Sequence, residues 1–490
     1  MTQPSGSEAE DLFADNNSTG RKLAENMAVV MLGKAIAVVV GLATMAVMAR
    51  HLGPEQFGQY RTALTFMSLS AVIGDLGLYM VTLKEITKPG ADRKAILSAA
   101  LTLRLVSSTV VLATAALLAV FLPYGPTVHI AIWLSIVLYV AYQATEFLAA
   151  VFQARLMQTP RAIGEALGGV ATLAAVVLVA WFGGGTLWMV IATAVGAIVA
   201  FGWCWWRAEQ LESFGLAFNL PVWKNLVVVG FPLACSEILI LAVVRGDTFI
   251  LSLFHSAGDV GVYGIPTKIY EILTTLSFIF GGLMMGFFSR AVAERDEELF
   301  RRRLTSAVDT MLVFGIGSMA FLFVHAEEVL NLIGGQEYER GAPALQLLSG
   351  AVAAQACIHM FRYALMARDQ QGKVVRIDMM AFVTGMILYM LLIPGHSFIG
   401  AALATTLNEF IILGGLLWLS ARENQQPFGF GRLAIMLAAG GVFVGCLLLF
   451  AMVGLHWFLS TCISGVLYLG ILLVLKVIPL ELFRNFSSKV

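Results

Sequence analysis

The chain has 490 residues, of which 59% are hydrophobic and only 13% are charged. This composition excludes a series of soluble domains and predicts a membrane protein. Lys and Arg number 31, as do Asp and Glu, so the formal net charge is zero and nothing indicates binding to nucleic acid.

The chain begins with a polar, acidic segment at residues 1–20, which lacks the apolar core of a signal peptide. Fourteen apolar stretches follow, each about 19 to 29 residues long and so close to or above the roughly 20 residues that span a bilayer. We therefore predict an all-α polytopic membrane protein with about 14 transmembrane helices, called spans 1–14. The spans cover residues 25–49, 60–83, 96–122, 128–152, 164–182, 186–206, 225–253, 263–288, 304–324, 342–366, 374–394, 397–419, 432–453 and 456–478.

Lys and Arg residues between the spans are unevenly divided between the two sides of the membrane. If the N-terminus is inside, the cytoplasmic segments carry 23 of them and the outer loops carry three, namely Arg50, Arg61 and Arg340. Such a bias follows the positive-inside rule. It predicts that both termini are cytoplasmic, as an even number of spans requires.

A short turn recurs after spans 1 and 7. Each copy contains an acid followed by Gly-x-Tyr, at Gly58–Tyr60 and at Gly261–Tyr263. The two turns lie on the same side, so they indicate a parallel repeat of six helices about an axis along the membrane normal, although a chance match is an alternative. The predicted domains are a disordered cytoplasmic tail at 1–22, an N-lobe at 23–206, a cytoplasmic linker at 207–224, a C-lobe at 225–420, spans 13 and 14 at 431–478 and a cytoplasmic tail at 479–490.

Several charged side chains lie inside the spans, where each costs roughly 2.5–3.5 kcal/mol on insertion scales. They must face one another, as structural ion pairs, or a wet cavity. Lys34 and Arg245 have no acid on the same face within a turn, so we predict that both line a cavity. The candidate cavity cations are Lys34, Arg104, Arg245 and Lys268, and the candidate ion-coupling acids are Asp75, Glu237, Asp247 and Glu271.

These charges are the sequence's main clue to chemistry. A basic cavity suits an anionic passenger such as a phosphate or pyrophosphate, and a buried acid is a candidate for coupling to H⁺ or Na⁺. The chain has no P-loop, no Gly-rich nucleotide fingerprint and no His-x-x-x-His spacing. We therefore predict no catalytic residues, no metal and no cofactor, and a protein that is not an enzyme.

Two motifs near the N-terminus carry a family resemblance. The segment Ala49–Tyr60, which reads ARHLGPEQFGQY, and the later Asp75-Leu76-Gly77-Leu78 resemble the opening of bacterial polysaccharide transporters. These are O-antigen-type lipid-linked oligosaccharide flippases of the multidrug/oligosaccharidyl-lipid/polysaccharide exporter superfamily.

The resemblance implies a fold and a function. It implies two six-helix lobes in a pseudo-twofold arrangement, a C-terminal helix pair, and a central cavity walled largely by spans 1, 2, 7 and 8. It also implies a bacterial cytoplasmic membrane, alternating access, and movement of a polyprenyl-pyrophosphate-linked oligosaccharide to the outer leaflet. Its partners would be that lipid-linked oligosaccharide, membrane lipids and other polysaccharide-assembly proteins.

Three other functions remain open at this point. A multidrug cation antiporter of the same superfamily would share the fold, but Lys34 stands in span 1 where an acid would be expected. A peptidoglycan-precursor flippase would also have fourteen helices. A membrane-embedded component of polysaccharide assembly belongs to a different functional class.

Overall fold

A computed structural model describes residues 6–155, 157–422 and 430–475, without the side chains of residues 6–32, 34, 35, 233, 235, 236 and 430. Within these ranges the protein is helical and contains no strand, which confirms the predicted fold class. The elements are α1 (Gly6–Asp75), α2 (Leu78–Ile86), α3 (Arg93–Ala119), α4 (Pro126–Ala154), α5 (Thr159–Trp181), α6 (Thr186–Leu211), α7 (Leu220–Phe254), α8 (Ala257–Ala293), α9 (Glu297–Val324), α10 (Ala326–Gly334), a 3₁₀ helix (Gln336–Gly341), α11 (Ala342–Ala367), α12 (Gln371–Arg422), α13 (Phe430–Met452) and α14 (Trp457–Val474).

Eleven helices in the described part of the chain are long and apolar enough to cross a membrane. A twelfth candidate is α7, whose segments Leu220–Pro232 and Glu237–Phe254 meet at 57°. Two of the eleven, Ile36–Ile86 and Gln371–Arg422, have 51 and 52 residues, about twice the length that one crossing needs. When both halves of those two helices are counted, the total is the predicted fourteen.

One non-helical residue joins the first two spans. Gly53 has φ 66° and ψ 175° in the middle of α1. A positive φ costs glycine little, and Pro54 suits the first turn of the next helix, where its missing N–H leaves no bond unmade. The structure therefore replaces the predicted loop of 50–59 by a kink, and Ser397 makes a similar kink in α12.

The second motif of the family resemblance is a helix break. α1 ends at Asp75 and α2 begins at Leu78, because Leu76 and Gly77 have φ values of 53° and 66°. Arg104 and Ser107 of α3 cap the C-terminal end of α1. Arg104 donates to the backbone oxygen of Asp75 at 2.8 Å and pairs with its carboxylate, and Ser107 donates to Gly74 at 2.8 Å.

We call α1–α6 the N-terminal half and α8–α14 the C-terminal half, and α7 packs against both. The first segment of α7 packs through Leu226 into an apolar core with Leu78 of α2 and Leu97 of α3. Its second segment packs through Ile250 and Leu251 into a core with α8, α11 and α12. α7 thus packs into a core of each half.

The predicted connections are shorter in the structure. α6 runs to Leu211 and α7 begins at Leu220, inside the predicted linker of 207–224. Just past α6, Glu212 accepts from Arg155 at 2.7 Å and from Arg93 at 3.2 Å, and these bonds lower the pKa of its carboxyl. The helix α1 begins at Gly6, within the predicted tail of 1–22, and the tail of 479–490 lies outside the described residues.

Candidate functional site

A cavity of about 230 Å³ lies between the two halves of the protein. Its walls come from α1, α4, α7 and α8. Three of these helices match the spans that the resemblance implies, because α1 contains span 1 and most of span 2, and α7 and α8 correspond to spans 7 and 8. Tyr139 of α4 and several hydroxyl-bearing residues of α1 line it. So do three cations from three different helices: Arg61 of α1, Arg245 of α7 and Lys268 of α8.

One carboxylate neutralises part of this positive charge. Glu271 of α8 pairs through Oε1 with Arg245 and through Oε2 with Lys268, the latter at 3.2 Å. The side chains of Arg245, Lys268 and Glu271 are 29%, 36% and 23% exposed, so they are partly open to the cavity and not packed in a dry core. Arg61 donates to Thr267 Oγ1 at 3.1 Å, while its Nε is buried and has no hydrogen-bond partner in the described part of the chain. The cluster keeps an excess of two positive charges.

Arg61 is the residue that sequence reasoning missed. By sequence, Arg61 counts with the outer loops because it stands at the very start of span 2, and the structure overturns that assignment. Because the second half of α1 starts at Pro54, Arg61 lies about two turns inside the helix and lines the cavity. The Gly53-Pro54 pair is the signal that could have found it, since proline is favoured in the first turn of a helix.

The cavity is closed on the side where α10 and the 3₁₀ helix lie, here called the α10 face. α1 and α8 touch backbone to backbone at the two repeated turns. A Cβ added to Gly58 would lie 1.6 Å from the carbonyl oxygen of Ala257, and one added to Gly261 would lie 1.9 Å from that of Pro54. Only glycine allows so close a crossing.

Side chains reinforce this closure. Arg50 of α1 donates to the carbonyl oxygens of Asn331 and Ile333, each at 3.3 Å, and of Leu332 at 2.8 Å. These carbonyls belong to the last turn of α10, where helical partners are lacking and a cation is favoured. Tyr338 of the 3₁₀ helix is fully buried and donates to Ala49 at 3.2 Å.

The other predicted cations have different environments. Arg104 is 1% exposed and is bound by Asp75 and by Gln143, whose Oε1 accepts at 2.6 Å. The structure therefore does not bring Arg104 or Asp75 to the cavity, but uses them at the break between α1 and α2. Lys34 lies on α1, and its side chain is outside the described part of the structure.

Two of the predicted ion-coupling acids make no ion pair with the cavity cations among the described residues. Asp247 is buried, and its carboxylate accepts from Tyr263 at 2.8 Å and from the hydroxyl of Thr248 at 3.1 Å. Glu237 is exposed at the start of the second segment of α7. Among the four predicted acids, Glu271 alone contacts the cavity cations in the described residues.

Two further concave regions lie in the C-terminal half. A pocket of about 120 Å³ with mostly apolar walls also contains Glu409, whose Oε1 accepts from Tyr270 at 3.0 Å, and an Arg362–Asp378 pair at 2.6 Å. An apolar groove of about 800 Å³ runs between α9, α11, α12 and α13 and has walls of Leu, Ile, Phe and Met side chains. In the described residues no group of three His, Cys, Asp or Glu side chains could hold a metal ion.

Comparison with known sequences places the chain in a family. A family model for polysaccharide biosynthesis protein matches residues 23–288, and a model for lipid II flippase MurJ matches residues 272–477. A relative from Haloferax volcanii, described as probable low-salt glycan biosynthesis flippase Agl15, is 20% identical over 74% of this chain and 75% of its own length. The uncharacterized membrane protein YabM of Bacillus subtilis is 22% identical over 48% of this chain and 46% of its own.

Solved structures share the fold. A lipid II flippase MurJ in an inward closed conformation aligns with a TM-score of 0.76 and 14% identity, over 94% of this chain and all of the other. An inward-facing multidrug resistance MATE family transporter aligns with a TM-score of 0.60 and 17% identity, over 80% of this chain and 98% of the other. At these identities the two structures show that the chain shares their fold. The family model for polysaccharide biosynthesis protein matches more than half of the chain, so this multi-pass membrane protein belongs to the polysaccharide biosynthesis protein family.

Proposed function

We propose that this protein is a flippase that moves a polyprenyl-pyrophosphate-linked oligosaccharide from the inner to the outer leaflet by alternating access. The observation that carries the proposal is the cluster of Arg61, Arg245 and Lys268 in a cavity between the two halves. A pyrophosphate cannot cross hydrocarbon bare, and guanidinium and ammonium donors can replace its hydration.

The passenger's lipid also has a candidate place. The groove between α9, α11, α12 and α13 is apolar along its length and much larger than the cationic cavity. A polyprenyl chain would fit such a surface, and the glycan would remain in the wet interior. The apolar groove would thus suit the lipid tail of the passenger, and the cationic cavity would suit its pyrophosphate.

The direction of transport rests on the charge bias. Once Arg61 is assigned to the cavity, only Arg50 and Arg340 remain as basic residues of the outer loops. We therefore propose that the α10 face is outside and that both termini are cytoplasmic. A cavity closed at the α10 face is then closed to the outside, the state in which a passenger would enter from the inner leaflet.

A peptidoglycan-precursor flippase is a second candidate. The match of residues 272–477 to the lipid II flippase model favours it. The same cationic cluster would serve both passengers, because both would be held by a pyrophosphate. A multidrug cation antiporter is disfavoured, since two excess positive charges in the cavity would repel a cationic drug.

Binding by purified protein in lipid nanodiscs tests the proposal. We expect undecaprenyl pyrophosphate to bind, undecaprenol and the cationic dye ethidium not to bind, and Arg61→Ala and Arg245→Ala each to weaken binding about tenfold or more. Arg290→Ala, on an exposed part of α8, is the matched control and should bind normally. Lys34→Ala belongs in the same set, as Lys34 remains a proposed cavity cation.

Export in a flippase-deficient strain is the second measurement. The Arg61 and Arg245 variants should reach the membrane but fail to restore glycan export, and a peptidoglycan-precursor flippase would instead rescue loss of that precursor's transport. Ethidium binding, or undiminished export by both variants, would refute the assignment of the passenger.

A further inference from the structure

The carboxylate of Glu271 occupies the position that an anionic ligand would take in the cationic cluster. Its two oxygens bind different cations, Oε1 on Arg245 of the neighbouring helix and Oε2 on Lys268 one turn earlier in α8. A phosphate would present its oxygens to the same donors in the same way. Glu271 thus gives these two cations an anionic partner from within the protein.

Arg61 marks the part of the cluster that Glu271 leaves unsatisfied. Its terminal nitrogen reaches Thr267, but its Nε is buried and has no partner among the described residues. The side chain of Arg61 lines the cavity, and among the described residues Glu271 pairs with Arg245 and Lys268 but not with Arg61. The cluster therefore carries more positive charge than one carboxylate neutralises, which suits an anion with more than one negative charge.

We propose that Glu271 is an internal counterion that the passenger's phosphate displaces, so that Glu271 sets the affinity of the cavity and permits release. This inference rests on the proposed function. Three cations with no competing acid would hold a pyrophosphate tightly, whereas a transported molecule must also leave its site. When the passenger leaves, Glu271 pairs again with Arg245 and Lys268, and this pairing offsets part of the free-energy cost of release.

A purely structural ion pair predicts different behaviour. In that case Glu271 would only hold Arg245 in place, and its removal would loosen the site and weaken binding. A displaceable counterion competes with the ligand, so its removal strengthens binding. The sign of the change in affinity therefore separates the two roles.

The test is Glu271→Gln in the full-length protein, with undecaprenyl pyrophosphate as the probe. We expect binding to become about tenfold tighter, on the scale of one charge-assisted hydrogen bond, while the rate of flipping in proteoliposomes falls because release is slowed. Glu294→Gln removes the same charge from an exposed site just past the end of α8 and should change neither quantity. Binding by Glu271→Gln that equals or falls below wild type would overturn the inference.

A second variant keeps the test open if Glu271→Gln fails to fold. Glu271→Asp retains the charge but withdraws the carboxylate by one methylene, so binding should tighten about threefold while expression is kept. Weaker binding by this variant would contradict a counterion role. Wild-type protein that binds no undecaprenyl pyrophosphate at all would instead refute the proposed function, so the two failures are distinguishable.

Discussion

At the scale of single residues, charge inside a span is easy to find in a sequence but its partner is not. The periodicity of one helix shows which residues share its face, as with Lys268 and Glu271 three positions apart. It does not show which helices are neighbours. Arg104 and Arg245 therefore look alike in the sequence, although one closes a helix end with Asp75 and the other lines the cavity.

Arg104 provides a prediction about stability. Arg104→Met would leave the Asp75 carboxylate without its cation and the end of α1 without its cap, at a cost of about 3–5 kcal/mol. We expect a sharply lower yield of folded protein and a lower melting temperature in detergent, measured by fluorescence-detected size exclusion after heating.

Arg61→Met is the matched comparison, because it removes the same charge from the cavity. It should retain most of the melting temperature and lose binding of undecaprenyl pyrophosphate. A stable Arg104→Met protein that has lost this binding would mean that Arg104 acts on the passenger, as the sequence suggests.

At the scale of elements, the number of spans is predictable and their ends are not. Apolar length predicts fourteen crossings because each must cover about 30 Å of hydrocarbon. Hydropathy falls at Arg50 and His51, although the backbone stays helical up to Gly53. The polar residues that end an apolar window thus do not end the helix. For this reason Arg61, which by sequence counts with the outer loops, lies within α1 and lines the cavity.

The two repeated turns could be matched by sequence, but their contact could not. Gly58 and Gly261 are about 200 positions apart in a 490-residue chain, and nothing in either turn indicates that it meets the other. The structure shows α1 and α8 crossing at these glycines. In the sequence each glycine looks like a turn residue, but in the structure its missing side chain lets the two helices cross closely. The pseudo-twofold relation of the lobes stays a prediction.

This crossing provides a second structural prediction. Gly58→Ala or Gly261→Ala places a methyl group inside van der Waals contact with a backbone carbonyl, which cannot yield as a flexible side chain would. The α10 face should open. We expect Thr65→Cys, in the cavity wall, to react several-fold faster with a membrane-impermeant maleimide added outside the cell.

Gly286→Ala is the control. Gly286 lies on α8, as Gly261 does, but a Cβ added there would meet no neighbouring atom within 4 Å. It should leave the labelling rate of Thr65→Cys unchanged. If Gly58→Ala and Gly261→Ala proteins fold with normal stability and label at the control rate, the crossing does not close the cavity.

At the scale of the whole molecule, the two halves meet in two ways. At the α10 face they meet directly, through the glycine crossing and through Arg50 on the end of α10. Elsewhere α7 joins them, with one segment in the core of each half and a bend of 57° between the segments. Movement of one half against the other would open the first contact and change the bend in α7.

A cross-link at the α10 face tests both alternating access and orientation. Glu55 Oε2 lies 3.0 Å from where a Cβ on Gly258 would be, so cysteines at these positions join α1 to α8. In a chain without its native cysteines, a membrane-impermeant bifunctional thiol reagent added outside should cross-link Glu55→Cys with Gly258→Cys. Export should stop, since the passenger could enter the cavity but not leave, and a reductant that cleaves the reagent should restore it.

The control pair is Arg93→Cys with Glu212→Cys, which lies at the opposite face and within the N-terminal half. The outside reagent should not reach this pair, whereas it should cross-link the pair in inverted vesicles without stopping transport. Reaction of the two pairs with the opposite sidedness would place the α10 face in the cytoplasm and reverse the proposed direction. Undiminished export by a fully cross-linked Glu55–Gly258 pair would show that this face does not open during transport, because a covalent link between α1 and α8 cannot be crossed by a glycan.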